Sequence, residues 1–406
     1  MFRIISKKDG KRTGEIKTRK GVLKTPFFMP DATRAFVKSL GNDDLKKSGV
    51  EVLCVNAYHL YLQPGLEIIK KAGGIHKFMN WDGPVISDSG GYQIFSLIHK
   101  NPEMGKITDD EVIFRSPLDG KKHILTPEKS IQIQFDLGVD MMVCLDDPPP
   151  NYYPKEKIKK AVERTLNWAE RCKTEYEKQI KERKISEKER PLLFGVIQGG
   201  EHLDLRKYCA EDLVKIGFNG YGFGARHVDK DGNFLEKVLR YTADLIPEEA
   251  LRFALGVGTP EDIVKCASYG WDMFDCVIPT REGRHGRLFI WKKNPSLPEM
   301  LRIPKQAGLR CGGVLPFEKG EKSSPFKKGG LEGDFYKTIN INNGIYRSDF
   351  KPVDKNCGCE LCQNYTRAYL RHLFSAKEPL AMRLASIHNL YFYLKLMELL
   401  QGRASD

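Results

Sequence analysis

The chain has 406 residues, of which 41% are hydrophobic, so it can bury one large core or two ordinary ones. No apolar run approaches the roughly 20 residues that cross a bilayer, and the start of the chain lacks the apolar stretch of a signal peptide, so we expect a cytoplasmic protein without a membrane partner. The formal net charge of +13 at pH 7 favours a polyanionic partner such as nucleic acid.

Short apolar runs along the first two thirds of the chain are typical of strands that are covered on both faces. They are residues 52–55, 84–86, 141–145, 192–197, 253–255 and 273–274. From Ile158 to Tyr176, apolar side chains recur every three or four positions in a Lys/Glu-rich segment, which predicts a helix packed on a sheet. This alternation predicts an α/β fold, either a closed (β/α)8 barrel or an open doubly wound sheet.

Polar side chains follow four of these runs, at the point where each predicted strand ends. They are Asp88, Asp146, Gln198 and Asp275. A closed barrel gathers the carboxyl ends of all its strands around one mouth, whereas an open sheet gathers only those beside its switch point. We therefore favour the TIM barrel, with one catalytic domain over residues 1–406.

Two segments have the layout of an active site, SDSGGYQ at residues 87–93 and FDCVIPTREGRHG at residues 274–286. Each places one carboxylate directly after an apolar run, beside glycines that let a ligand approach the backbone. The second segment adds a cluster of positive charge. We expect Asp88 and Asp275 to carry the chemistry.

Three cysteines near the end of the chain form a tight group, Cys357, Cys359 and Cys362. In a reducing compartment such spacing indicates a metal rather than disulfides, and three thiolates with one imidazole make a closed tetrahedral set for a structural Zn²⁺. His388 and His372 both lie on helical segments downstream, and spacing alone does not decide between them. We expect a zinc-binding subdomain over residues 339–390.

Lys, Pro and Gly dominate residues 292–338, and such a composition cannot bury much apolar surface. We expect a surface insert here. It is either a tolerated insertion with solvated charges or a segment that touches the partner.

Several ordered blocks, together with the cysteine group, make the chain similar to the tRNA-guanine transglycosylase (queuine tRNA-ribosyltransferase) family of bacterial type. The blocks are NAYHLYLQPG at 56–65, SDSGGYQ at 87–93, FGVIQGG at 194–200, GVGTP at 256–260 and DMFDCVIPTR at 272–281. The similarity runs from about Gly14 to Leu400, interrupted mainly by the insert. It implies a barrel that carries a zinc subdomain, with His388 as the fourth zinc ligand, and it implies a homodimer.

The resemblance also implies a reaction, the exchange of guanine at the wobble position of a tRNA anticodon for a 7-deazaguanine base. Asp275 would be the nucleophile that attacks the ribose anomeric carbon and forms a covalent intermediate. Asp88 would be the general acid and base that protonates the leaving guanine and deprotonates the incoming base. Two displacements at one carbon preserve its configuration, as in retaining glycosidases.

Further site residues follow from the resemblance, position by position. Those expected to bind the base are Ser89, Tyr92, Asp146, Gln198, Gly224, Ala225 and Leu255. Arg281 and Arg284 are expected near the anticodon phosphates and bases, where guanidinium groups bind well. The target nucleotide must leave its stack, which an anticodon loop allows cheaply.

The chain departs from the bacterial pattern in the loop that normally senses the substituent on the base. GARHVDK at residues 224–230 places Arg226 where a leucine is usual and Lys230 where an acid is usual. The expected base is queuine or preQ1, and because a cation there disfavours an aminomethyl ammonium, the neutral cyano precursor is a further alternative. Asp31 also replaces the valine of a Val-Gly-Thr sequence.

Three other functions remain open from the sequence. They are an archaeosine-type enzyme that acts on the tRNA core, a DNA-directed 7-deazaguanine transglycosylase, and a noncatalytic tRNA-binding subunit. The presence of both Asp88 and Asp275 argues against the last, because a pure binding protein has no use for a buried nucleophile.

Overall fold

The computed structural model describes residues 2–8, 10–292 and 335–402. Residues 293–334, which make up most of the predicted insert at 292–338, lie outside the described residues. The strands in chain order are β1 (Phe2–Lys8), β2 (Lys11–Thr18), β3 (Gly21–Thr25), β4 (Phe27–Pro30), β5 (Leu53–Asn56), β6 (Val85–Asp88), β7 (Gly105–Ile107), β8 (Val112–Arg115), β9 (Lys122–Leu125), β10 (Met141–Val143), β11 (Leu192–Ile197), β12 (Gly220–Phe223), β13 (Leu251–Ala254), β14 (Met273–Cys276), β15 (Arg287–Trp291) and β16 (Tyr336–Asn340).

The helices alternate with the strands over most of the chain. They are α1 (Asn42–Ser48), α2 (Ala57–Leu62), α3 (Leu66–Lys71), α4 (Ile75–Met79), α5 (Gly91–Lys100), α6 (Pro127–Leu137), α7 (Lys155–Glu182), α8 (Leu203–Ile216), α9 (Glu236–Leu245), α10 (Pro260–Ser268), α11 (Ile278–Arg284), α12 (Glu360–Asn364), α13 (Arg367–Ser375) and α14 (Pro379–Leu400). Short 3-10 turns lie at Pro102–Met104, Glu187–Glu189 and Gly344–Tyr346. In the described ranges, no helix is both long and apolar enough to cross a membrane.

Eight of the described strands, β4 to β6 and β10 to β14, pair in parallel and in chain order around a barrel. The ring closes just beyond β4, where Asp31 pairs with Cys54 and the Ala32 N–H donates to the Cys54 carbonyl at 2.7 Å. The predicted barrel is confirmed and the open sheet is excluded, because an open sheet has no contact between its first and last strands.

The predicted strand runs all fall in barrel strands, and the predicted helix at 158–176 lies within α7. Two barrel strands, β4 and β12, are not predicted. Their sequences, FFMP and GYGF, are only four residues long and are rich in Pro or Gly, which are poor strand formers. Their pairing partners on both sides hold them in the sheet.

Two apolar layers build the barrel. Inward-facing side chains of the strands, among them Met29, Ile86, Phe194 and Phe253, fill the interior as in other barrels of this kind. The antiparallel sheet β1–β3 contributes Ile16 to this cluster and so closes one end of the barrel. A larger cluster packs the outer face of the strands against the surrounding helices.

A buried ion pair fastens the N-terminal sheet to the barrel. Arg12 of β2 is 2% exposed, and its Nε lies 3.0 Å from Oδ1 of Asp272, which directly precedes β14. The same guanidinium donates to the carbonyls of Glu248 and Ala250 at 2.6 and 2.7 Å. Burial raises the pKa of Asp272 although Arg12 opposes this, so the pair offsets its own desolvation only in part.

Removing one partner should therefore be costly. In Asp272→Asn, Arg12 remains as an uncompensated buried charge, and we expect the free energy of unfolding to fall by about 3–5 kcal/mol. Denaturant unfolding measures the difference. Asp82→Asn, which breaks the exposed pair Lys46–Asp82, is the control and should leave the curve unchanged. An equally small effect of both substitutions would contradict a structural role for the buried pair.

The C-terminal part forms a smaller unit beside the barrel. Strands β15 and β16 pair as an antiparallel ribbon, and helices α12, α13 and α14 follow. A separate apolar cluster there includes Leu288, Leu361, Leu384 and the three cysteines. Its residues fall within the predicted zinc-binding subdomain and the preceding strand β15.

Candidate active site

The predicted polar residues lie at the carboxyl end of the barrel. Asp88 is the last residue of β6, Asp275 lies in β14, and Gln198 directly follows β11. Asp146 follows β10 by three residues. Since the barrel is closed, all four side chains come from the same rim of strand ends.

Asp88 and Asp275 are partly buried carboxyl groups with different hydrogen-bond environments. The Gly256 N–H donates to Oδ1 of Asp275 at 2.8 Å, whereas Asp88 receives a longer bond of 3.4 Å from Nδ2 of Asn56. Burial raises the pKa of Asp275 to about 7, with the Gly256 bond opposing. The pKa of Asp88 lies well above its usual range because of burial and the nearby charges of Asp275 and Asp31. The shorter bond from the Gly256 N–H favours the ionised form of Asp275, and the nearby charge of Asp275 favours the protonated form of Asp88.

A third carboxylate, the partly buried Asp31, lies beside this pair and is not among the predicted site residues. It directly follows β4, and the Thr33 N–H donates to its Oδ1 at 2.8 Å. Burial raises its pKa, while the Thr33 bonds and the charges of Lys38 and Arg284 oppose this. The sequence signal was a polar residue after a short apolar run, but that run was not recognised as a strand.

Asp146, Gln198 and Gly224 form one contiguous corner of the mouth. Nε2 of Gln198 donates to Oδ2 of Asp146 at 2.6 Å, and burial raises the pKa of Asp146 to about 7. A Cβ at Gly224 would lie 2.4 Å from Nε2 of Gln198, so only glycine fits there. Ala225 follows with φ of 68°, in the left-handed region. The geometry therefore offers a carboxylate, an amide and a close backbone approach in one place.

The remaining predicted base-binding residues are distributed around this corner. The hydroxyl of Ser89 accepts from the Gly91 N–H at 3.3 Å, and a Cβ at Gly91 would lie 3.1 Å from the Asp146 carbonyl oxygen. Tyr92 comes next in the chain and is 43% exposed. Leu255 lies against β12, where a Cβ at Gly222 would approach its Cδ1 within 2.5 Å.

Arg281 and Arg284 lie on α11, the short helix that follows Asp275. Arg281 is near Glu282, with 3.4 Å between Nε and Oε1. Arg284 is partly buried, and its Nη1 has no hydrogen-bond acceptor among the described residues. Burial and the charge of Arg281 lower the pKa of Arg284, which Asp31 opposes. Arg284 thus lies near Asp31, whereas Arg281 lies against Glu282.

Loop 224–230, whose sequence differs from the bacterial pattern, is held by a side chain that the sequence analysis did not identify. Nδ2 of Asn151 donates to the carbonyls of Arg226 and Val228 at 2.8 and 3.0 Å. Val228 also pairs with Phe234, and the Asp229 side chain accepts from the backbone N–H of Asn233 at 2.8 Å. Arg226 and Lys230 therefore project from a backbone that is fixed.

The predicted metal ligands lie together, and His388 rather than His372 faces the cysteines. Nδ1 of His388 lies 3.6, 3.5 and 3.3 Å from the sulfur atoms of Cys357, Cys359 and Cys362. Ligand distances in a tetrahedral zinc site give about 3.5 Å between such atoms. Nε2 of His388 donates to the Phe289 carbonyl at 2.7 Å, which leaves Nδ1 unprotonated towards the sulfurs. The buried cluster could hold a metal ion.

Loss of one ligand should release the metal. We expect purified protein to contain about one ion per chain by elemental analysis, and His388→Ala to lose it together with a lower thermal midpoint. His372→Ala removes an exposed histidine of the neighbouring helix α13 and serves as the control. Equal metal content in both variants would contradict this ligand set.

A closed parallel barrel with buried carboxylates around its carboxyl-end mouth, joined to a Cys3His cluster, is the architecture of a barrel enzyme with a metal-binding subdomain. The family profile described as queuine tRNA-ribosyltransferase matches residues 7–403. The chain therefore belongs to this family of pentosyltransferases and is an enzyme.

Curated relatives cover almost the whole chain. It is 41% identical over 395 residues to queuine tRNA-ribosyltransferase of Halothermothrix orenii, which covers 97% of this chain and 90% of that protein. It is 41% identical over 397 residues to the protein of that name from Caldanaerobacter subterraneus subsp. tengcongensis, covering 97% and 91%. The Staphylococcus aureus (strain bovine RF122 / ET3-1) protein of that name is 40% identical over 392 residues, covering 97% and 88%.

Proposed function

We propose that this enzyme exchanges guanine at the wobble position 34 of a tRNA anticodon for a 7-deazaguanine base through a covalent ribosyl intermediate. The observation that carries the proposal is the pair Asp88 and Asp275, two partly buried carboxyl groups at one barrel mouth, of which Asp275 accepts the shorter hydrogen bond, at 2.8 Å from the Gly256 N–H against 3.4 Å for Asp88 from Asn56. A carboxylate that ionises first suits a nucleophile, and one that retains its proton suits a general acid.

In the proposed first displacement, an Oδ of Asp275 forms a bond to the ribose anomeric carbon as the bond from that carbon to guanine breaks. The proton of Asp88 passes to the departing guanine. In the second displacement, Asp88 takes a proton from the incoming base, whose nitrogen then attacks the same carbon and releases Asp275. Atoms and protons balance, and the configuration at the carbon is retained.

The corner formed by Asp146 and Gln198 is the proposed base pocket. A purine-like base has donors on its amide and amino edge, which a carboxylate accepts, and a carbonyl that needs a donor. The Oε1 atom of Gln198 is buried without a partner among the described residues, so the bond between Gln198 and Asp146 leaves hydrogen-bonding capacity unused. A bound base would take over that bond. Exposed Tyr92 is the proposed stacking surface.

The metal proposed for the Cys3His cluster is Zn²⁺, because three thiolates and an imidazole nitrogen are the soft and borderline ligands that zinc prefers. With four protein ligands it would stabilise the fold and take no part in the exchange. The proposed RNA contacts are Arg281 and Arg284, since both lie on α11, the helix that directly follows the proposed nucleophile, and Nη1 of Arg284 has no acceptor among the described residues. A cytoplasmic homodimer with a surface insert completes the proposal.

Loss of the nucleophile should abolish the exchange. For Asp275→Asn we expect incorporation of labelled guanine into an anticodon stem-loop to fall by about a thousandfold or more, with no covalent RNA adduct on denaturing gels. Asp244→Asn, at the opposite end of the barrel near Arg12, is the control. Guanine exchange at the normal rate in Asp275→Asn would refute the mechanism. If the wild-type enzyme acted on DNA but not on RNA, the substrate would be DNA, and the proposed tRNA substrate would be wrong.

The pH dependence follows from the same carboxyl groups. Asp275 must be ionised to attack and Asp146 must be ionised to accept from the base, and burial raises both pKa values to about 7. We therefore expect kcat/KM to rise with pH up to about 7 and to fall at higher pH, where Asp88 loses its proton. A profile that is flat from pH 5 to 9 would contradict this assignment.

Arg226 and Lys230 are the proposed determinants of base choice. Cations on the fixed loop 224–230 repel the ammonium of preQ1 and the protonated secondary amine of queuine, so the neutral cyano base should be preferred over preQ1. Competition among the three bases, read by mass analysis of the nucleoside, measures the preference. Arg226→Leu with Lys230→Glu should shift it towards preQ1 by roughly tenfold. A wild-type preference for preQ1 would remove the idea.

A further inference from the structure

Arg206 is a fully buried arginine directly behind the proposed base pocket. It is the fourth residue of α8 and is 0% exposed. Its Nε donates to the Gly200 carbonyl at 3.0 Å, Nη1 to the Ile197 carbonyl at 2.7 Å, and Nη2 to the Gly224 carbonyl at 2.9 Å. The guanidinium lies over the Phe223 ring, 4.0 Å from its centroid. One side chain thus joins the loops that follow β11 and β12.

This guanidinium forms no ion pair with any carboxylate of the described residues. Burial lowers the pKa of Arg206 to about 9, so the group stays charged at neutral pH. Burying a charge without a counter-ion is unfavourable, and here only backbone carbonyls and an aromatic face compensate it. We infer that the charge is retained for the backbone geometry that it imposes.

The bond to Gly224 sets the direction of the next amide. Because a trans peptide is planar, the Gly224 carbonyl and the Ala225 N–H point in opposite directions. With the carbonyl held by Arg206, the Ala225 N–H points away from Arg206. It has no acceptor among the described residues. A donor is therefore left beside Gln198, against which Gly224 packs.

Ala225 is held in a conformation that alanine avoids. Its φ of 68° lies in the left-handed region, which is unfavourable for residues with a Cβ. The peptides on both sides are fixed, since Arg206 holds the Gly224 carbonyl and Asn151 holds the Arg226 carbonyl. Such strain persists only where the surroundings determine it.

The other two bonds of Arg206 bracket Gln198. Ile197 precedes it and Gly200 follows two residues later. Gly199 packs against α8 so closely that a Cβ there would lie 2.7 Å from the backbone nitrogen of Arg206. The backbone from which Gln198 reaches Asp146 is therefore fixed by the same guanidinium that fixes Gly224.

We propose that Arg206 is a positioning residue for base recognition. It aims the Ala225 N–H and the Gln198 side chain, from two different loops, at the carbonyl oxygen of the bound base. The proposal rests on the proposed function, because it requires a base in this pocket. Lysine cannot replace arginine here, since one ammonium lacks the planar fork that reaches three carbonyls at once.

Arg206→Lys keeps the charge and removes the fork. In guanine exchange we expect its KM for the base to rise roughly tenfold, the effect of a misplaced hydrogen bond in a buried site, while its KM for the RNA changes by less than about twofold. Arg12→Lys is the matched control, because Arg12 is also buried and bound to backbone carbonyls but lies at the closed end of the barrel. It should leave both KM values unchanged. Equal changes in both KM values for Arg206→Lys would overturn the proposal.

Hydrogen exchange of the two variants separates this proposal from the proposed function. Arg206→Lys should speed amide exchange in residues 197–200 and 224–226 selectively, and Arg12→Lys should not. If the wild type did not incorporate any base into RNA, the proposed function would fail. The hydrogen-exchange measurement would still test whether Arg206 fixes the two loops. If amide hydrogen exchange in residues 197–200 and 224–226 were the same in Arg206→Lys as in the wild type, the positioning role of Arg206 would be overturned. Adding Ala225→Gly to Arg206→Lys should lower the KM for the base again, since glycine adopts the left-handed region freely.

Discussion

The closed barrel forces the carboxyl ends of its strands together, and the charge that this concentrates is the constraint on which the site depends. Asp146 is buried, and Asp31, Asp88 and Asp275 are partly buried around the same mouth, where reduced contact with water strengthens the repulsion among their charges. A few hydrogen-bond donors stabilise the charged forms of these carboxyl groups, such as the Gly256 N–H, which donates to Asp275. Unequal compensation separates the ionisation of the carboxyl groups, which is what acid and base roles require.

Much of the barrel can be read from the sequence because six of its strands contain continuous apolar runs, four of which are followed by a polar residue of the site. Asp88, Asp146 and Asp275 are found by this pattern. This pattern does not identify strands β4 and β12, because their sequences contain Pro or Gly, which are uncommon in strands. Pairing with neighbouring strands places them in the barrel. Asp31 is missed for the same reason, since its significance depends on recognising β4.

Residues that act through backbone contacts leave no sequence signal. Arg206 looks like one more cation on the amphipathic helix α8, and Asn151 looks like a loop residue after a run of prolines. Both bind carbonyl oxygens, which every residue possesses, so nothing in the sequence identifies their partners. The cysteine group is the opposite case, because its spacing alone brings the thiolates together. The spacing does not decide between His388 and His372, and the family resemblance points to His388, which the structure places against the sulfur atoms.

Helix α14 connects the Cys3His cluster to the mouth of the barrel, because residues of this helix contact both. His388 faces the cysteines, and the next residue, Asn389, donates to the carbonyls of Pro279 and Arg287 at 2.9 Å. One turn further on, the Tyr393 hydroxyl donates to the Gly258 carbonyl at 2.7 Å. These contacts hold the segments that follow Asp275 and Gly256, the two partners in the bond at the proposed nucleophile. A metal ion bound by this cluster would thereby help to hold the carboxylate that is proposed as the nucleophile.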